Sequence, residues 1–153
     1  MTADTTPDAA CLERTRSAVL NVLIAAGLGI AASGGLLRWR DGWATDRAQG
    51  AVGSYLHRAL IVLVVLTVVT RRVLTARGRL QDPGSRAPRF VRAHVVPAAM
   101  GLTALPLGLA YGWFVRPRLD AVAPFWVAAL ALGALSFPRA SELTGLDDGG
   151  PAS

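Results

Sequence analysis

Three ionisable residues sit where an apolar chain has least use for them: His57, Arg58 and His94. His57 and Arg58 open one long apolar run, and His94 opens the next. Two histidines on adjacent apolar helices could hold a b-type haem through two axial imidazoles. Depth works against that pairing. His57 falls near one membrane surface and His94 near the other, about 20 Å apart at a helix rise of 1.5 Å per residue. Axial nitrogens on one iron must lie about 4 Å apart, given metal–nitrogen bonds of about 2 Å. A single protomer is therefore not expected to bridge one haem with this pair. Each histidine could still ligate alone or pair with a partner's histidine, and His57 could contact a quinone. The expectation without such a ligand is that His57, Arg58 and His94 snorkel to headgroups at the two interfaces.

Leu56-His57-Arg58 at the head of an apolar helix resembles the start of a haem-ligating helix in haem A synthase-type membrane proteins. The resemblance covers a few residues of one run and would imply a haem contact at His57. That family places a glutamate three residues before its histidine, where Ser54 stands here.

Other chemistry is scarce. No Asp or Glu lies inside an apolar run, so the chain lacks the buried carboxylate on which proton-coupled transport usually depends. HExxH, CxxC, GxSxG and phosphate-loop patterns are all absent. Cys11 is the single cysteine, which excludes an intrachain disulfide and a cysteine metal cluster. An enzyme is not expected.

The elements that would position these residues are set by a basic segment. Arg71–Arg92 carries seven arginines (Arg71, Arg72, Arg77, Arg79, Arg86, Arg89 and Arg92) against one acid, Asp82. It lies between the apolar runs Val52–Thr70 and Ala93–Val115. Two further runs, Ser17–Leu37 and Ala121–Phe137, complete four candidate spans. Each is long enough, the last barely so, to cross about 30 Å of hydrocarbon as a helix. Cytoplasmic loops collect arginine, so the central loop is expected inside, together with both termini. The outer loops then hold Arg38, Arg40, Arg47, Arg116 and Arg118. Trp39, Trp43, Tyr55, Tyr111, Trp113, Phe114, Phe125 and Trp126 share that outer edge, as an aromatic belt would. The net charge of +6 is thus read as topology and contact with anionic headgroups along Arg71–Arg92, and not as a nucleic-acid surface. All sixteen basic residues are arginine, which looks like the codon bias of a GC-rich genome. The expected location is a cell membrane, specifically a bacterial inner membrane.

Residues 1–16 and 139–153 are polar and are expected to be disordered tails flanking a transmembrane domain over 17–138. Arg14, Arg16, Ala18–Ile30 and the small cluster Ala31-Ala32-Ser33-Gly34 also fit a signal peptide, but Leu36–Leu37 prolongs the run past that pattern.

The expected fold is an all-α up-down bundle of four helices. Short outer connections favour contact between spans one and two, and between spans three and four. Gly101, Gly108 and Gly112 in span three, with Gly133 in span four, form smooth faces that let backbones approach. Span one offers Ala25, Gly29 and Ser33, or else Gly27, Ala31 and Gly35, as the matching face. Asn21 is expected to be buried and bonded to a neighbouring helix. Leu/Val-rich span two should lie toward lipid, and Pro106 should kink span three. Function is expected to be that of a non-catalytic accessory or structural subunit, packing on a partner or on itself. A redox protein using His57 and a small-molecule carrier hinged at Pro106 are the alternatives.

Overall fold

A computed structural model describes residues 7–41, 51–75 and 86–139. Among the described residues the secondary structure is all helix and short turns, with no strand. In chain order the helices are α1 (Pro7–Asp41), α2 (Ala51–Leu74), α3 (Arg86–Leu102), α4 (Ala104–Phe114) and α5 (Leu119–Leu135). α3 and α4 form one bent rod, so the architecture is a four-rod bundle. Three rods are long and apolar enough to cross a membrane: Ala9–Trp39, Ala51–Leu74 and Ala87–Phe114. The fourth, α5, has 17 residues, at the lower limit for a span.

The rods alternate in direction. Cys11, early in α1, meets Ala87 at the start of α3, so these two rods begin at the same end. The other end gathers Leu37 of α1 against Gly112 of α4, and Gly53 of α2 against Val115. α2 and α5 run the opposite way: Arg71 and Thr75 of α2 share a cleft with Leu135 and Ser136 at the close of α5.

Adjacency departs from expectation for one pair. α4 packs on α5, joining spans three and four. α1 packs on α3, α4 and α5 but has no substantial contact with α2. Spans one and two therefore lie on opposite sides of the bent rod. The connection over 42–50 permits this, since nine extended residues reach about 30 Å. The physical cause is the distribution of small residues. Spans three and four carry glycine faces that α1 fits closely, whereas α2 is crowded with β-branched side chains.

α1 also begins earlier than expected. Residues 7–16 form its first turns, with Pro7 at the start, where a missing N–H is harmless. Thr15 is fully buried and returns its hydroxyl to the Cys11 carbonyl at 2.8 Å. The bend between α3 and α4 falls at Thr103, three residues before Pro106. Pro106 has no N–H to offer the Leu102 carbonyl, and its ring crowds that turn. The Thr103 N–H bonds instead to Met100 at 3.1 Å, and its hydroxyl reaches the same carbonyl at 2.7 Å.

The core cluster sets one large ring, Phe125, among Leu60, Ala104 and Ala129, with Leu56, Leu63 and Tyr111 packed round them. α2 contributes little else. Ile61, Val62, Val65, Leu66, Val68 and Val69 are exposed on its outer surface. A rod that turns this much aliphatic surface outward is at home in hydrocarbon and would aggregate in water.

Candidate functional site

His57 lies one turn into α2, and its Nδ1 is 3.0 Å from the Gly53 carbonyl. A carbonyl oxygen can only accept, so Nδ1 carries the proton and the lone pair of the neutral ring lies on Nε2. The imidazole is gripped by two rings from across the bundle. Tyr111 meets it edge-on, with centroids 4.9 Å apart, and Phe125 lies tilted at 5.3 Å. Tyr111 and Phe125 in turn stack at 5.4 Å, closing a three-ring cluster that links α2, α4 and α5. Such pairs add about 0.5–1.5 kcal/mol each beyond the area they bury. Arg58 follows on the exposed side of α2, away from the cluster.

His94 is on α3 and is almost wholly buried. Its Nδ1 donates to the Phe90 carbonyl at 2.9 Å, and its ring lies 4.5 Å from that of Phe90. The two histidines thus repeat one local arrangement, Nδ1–H to the carbonyl four residues back. They do not meet. His57 packs on Tyr111 and Phe125 near the end where Gly53 faces Val115. His94 packs one turn from Phe90, toward the end where Cys11 meets Ala87. No group of three or more His, Cys, Asp or Glu gathers for a metal among the described residues.

The glycines sort by what a Cβ would meet. At Gly108 it would lie 2.7 Å from Phe125 Cβ, and at Gly101 2.9 Å from Leu132 Cβ. At Gly112 it would lie 2.7 Å from the Leu37 methyls, at Gly133 2.6 Å from Leu23 Cδ2, and at Gly29 2.8 Å from Leu105 Cδ1. These contacts tie span three to α5 and both to α1. Of the two small-residue triplets on α1, Gly29 and Ser33 turn inward, while Ala25 is exposed. Gly27, Ala31 and Gly35 all turn outward, and Gly27 and Gly35 have nothing within 4 Å of a would-be Cβ.

Asn21 differs from the expectation of burial. It is exposed on the outward half of α1, about 40° round the axis from Gly35 and about 120° from Gly27 at 3.6 residues per turn, and its amide bonds to no described residue. A hundred degrees of rotation per residue separates an inward from an outward position, and the buried stripe runs through Val19, Ala26, Ser33 and Leu37 instead. Two arrangements escape a reading of sequence. One is the three-ring cluster round His57; the shared depth of Tyr111 and Phe125 was its only available signal. The other is a cleft between α2 and α5, which brings Thr67 and Arg71 beside Leu132 and Ser136.

No protein-family model matches the chain, and no curated protein or solved structure is significantly similar to it.

Proposed function

We propose that the chain is a non-catalytic subunit of a cell membrane that assembles through the outward face of α1, with a second copy of itself as the partner. The observation that carries this is the outward-turned Gly27, Ala31 and Gly35, with nothing near a would-be Cβ at either glycine, together with the exposed and unbonded Asn21 on the same outward half of the helix. In hydrocarbon an unsatisfied amide costs several kcal/mol, on the order of 4–8 in solvents that cannot hydrogen-bond. A small residue at every fourth position lets an identical backbone approach closely. An asparagine amide is both donor and acceptor, so a second Asn21 across a two-fold axis completes it.

The accompanying topology has four spans and both termini cytoplasmic. It rests on the crowding of arginine between spans two and three, where Arg71–Arg92 would meet anionic headgroups. The abundance of arginine without lysine favours a bacterial inner membrane as the setting.

Sedimentation of the purified chain in mild detergent tests the assembly. The wild type should be a dimer, and Asn21→Leu should weaken it about fivefold, as for an interhelical hydrogen bond of about 1 kcal/mol. A wild-type chain that stays monomeric, with nothing co-purifying, would overturn the proposal. Stoichiometric capture of a different membrane protein would keep the face and replace the partner.

The Gly53 bond at His57 favours a second reading, a haem-linked redox protein. Metal-bound histidines usually donate their other ring N–H to a carbonyl, which fixes the tautomer as it is fixed here. Protein expressed with haem precursor should then show a Soret band that disappears in His57→Ala. A colourless preparation retires this reading.

A further inference from the structure

α1 turns one face squarely away from the bundle. About 180° round its axis from the buried stripe of Val19, Ala26, Ser33 and Leu37 run two columns of exposed residues. One holds Arg14, Asn21, Leu28 and Gly35, and the other holds Ser17, Ile24 and Ala31. Together they alternate at spacings of three and four, the seam of a heptad repeat, with Asn21 in the a column and Ile24 in the d column. On a straight helix each column slips about 20° per heptad, a mismatch that a left-handed supercoil takes up. From Arg14 to Gly35 the seam measures about 32 Å at a rise of 1.5 Å per residue. The hydrocarbon core it would cross is about 30 Å thick.

This face is unlike the outward face of α2, where Ile61, Val62, Val65 and Leu66 meet lipid. Lipid tails offer the Asn21 amide no hydrogen bond, whereas a second seam does. The charges are self-complementary as well. Glu13 and Arg14 are both exposed, and neither bonds to a described residue. Within one helix, residues one apart do not face each other. In a parallel pair Glu13 takes a g position, and a g side chain lies beside the a side chain of the facing helix. Glu13 of each copy then meets Arg14 of the other, twice by symmetry. At the opposite end Arg38 continues the d column with no acid next to it in sequence, so like charges close the seam after Gly35.

We infer that two copies join through α1 as a parallel two-stranded coil, held in register by Asn21 against Asn21 and locked, at the end where Cys11 meets Ala87, by Glu13 of each copy on Arg14 of the other. The inference rests on the self-association proposed above and adds its geometry. Copies inserted the same way into one membrane present α1 to α1 in parallel, whichever side the termini face. A single asparagine at an a position is a known determinant of register and of pairing in twos.

Charge reversal in the full chain, read by sedimentation in mild detergent, tests the lock. Glu13→Arg should weaken the dimer about fivefold, as for the loss of two exposed ion pairs. Glu13→Arg combined with Arg14→Glu keeps the net charge, restores both pairs with their signs exchanged and should return the affinity to the wild-type value. The SDS midpoint of each variant should not move, because both side chains are exposed in the monomer. Oxidative cross-linking in native membranes, in a Cys11→Ser background, tests the register. Ser17→Cys, Ile24→Cys and Ala31→Cys should each form a dimer bond, which requires Cα atoms within about 7 Å. Ala25→Cys is equally exposed but lies off the seam, and should not. A wild-type dimer that Glu13→Arg leaves unchanged, a double reversal that restores nothing, or cross-linking as strong at Ala25 as at Ile24 would each overturn this pairing while leaving self-association standing. A wild-type chain that stays monomeric would instead defeat the proposed function on which the pairing rests.

Discussion

Gly108→Leu should unfold the bundle at a markedly lower denaturant concentration than the wild type, by about 3 kcal/mol, at the upper end of the range for overpacking a tight core. The Cβ alone would sit 2.7 Å from Phe125 Cβ and 3.2 Å from Val122 Cγ1. Phe125 Cβ is the base of a fully buried side chain, with no freedom to swing aside. Relief would require α4 and α5 to separate, which would also pull Phe125 away from His57 and Tyr111. Replacing glycine inside a helix ordinarily gains up to about 1 kcal/mol. Here the clash is larger than that gain, and the net sign is destabilising. Titration with SDS, followed by far-ultraviolet circular dichroism and tryptophan fluorescence, reads the midpoint. An unchanged midpoint would mean that α4 and α5 do not meet at Gly108.

Gly27→Ile with Gly35→Ile should do the reverse. Neither position has an atom within 4 Å of a would-be Cβ, so the monomer keeps its SDS midpoint. Association should fall by about tenfold or more, since interhelical packing in lipid depends on close backbone approach and two branched side chains would hold the helices apart. Sedimentation of the double variant beside the wild type gives the answer. Loss of folding together with assembly would show that this face is used within the monomer. Gly27→Ala and Gly108→Ala make a sharper pair: one added methyl should be tolerated or mildly stabilising at the first and disruptive at the second.

The spans were legible because length and apolarity are one-dimensional properties. Arg71 and Arg72 mark where the apolar stretch of span two must stop, whatever the fold. The small residues at Gly101, Gly108 and Gly112 were equally visible, since their spacing is fixed by the helix repeat. Rotation about the helix axis was not legible for α1. Its triplets Ala25, Gly29, Ser33 and Gly27, Ala31, Gly35 have the same spacing, and only the shapes of α3, α4 and α5 decide which of them faces inward. Asn21 was misplaced for the same reason. The separation of α1 from α2 was hidden too, because a connection bounds how far apart two helices can lie and does not bring them together. The bend at Thr103 was half visible: Pro106 announces lost hydrogen bonding in the turn before it, but the residue that absorbs the change is set by which hydroxyl can reach Met100.

The separation of α1 from α2 bears on how the chain is assembled as it is made. A ribosome delivers the first two hydrophobic segments well before the third, yet those two share almost no surface. They must wait in the bilayer as independent rods, each with its packing face open to lipid or to a chaperone. Only when residues 86–114 arrive does a common neighbour exist for both. A fragment ending near residue 75 is thus a pair of strangers, and quality control has its clearest target in that interval.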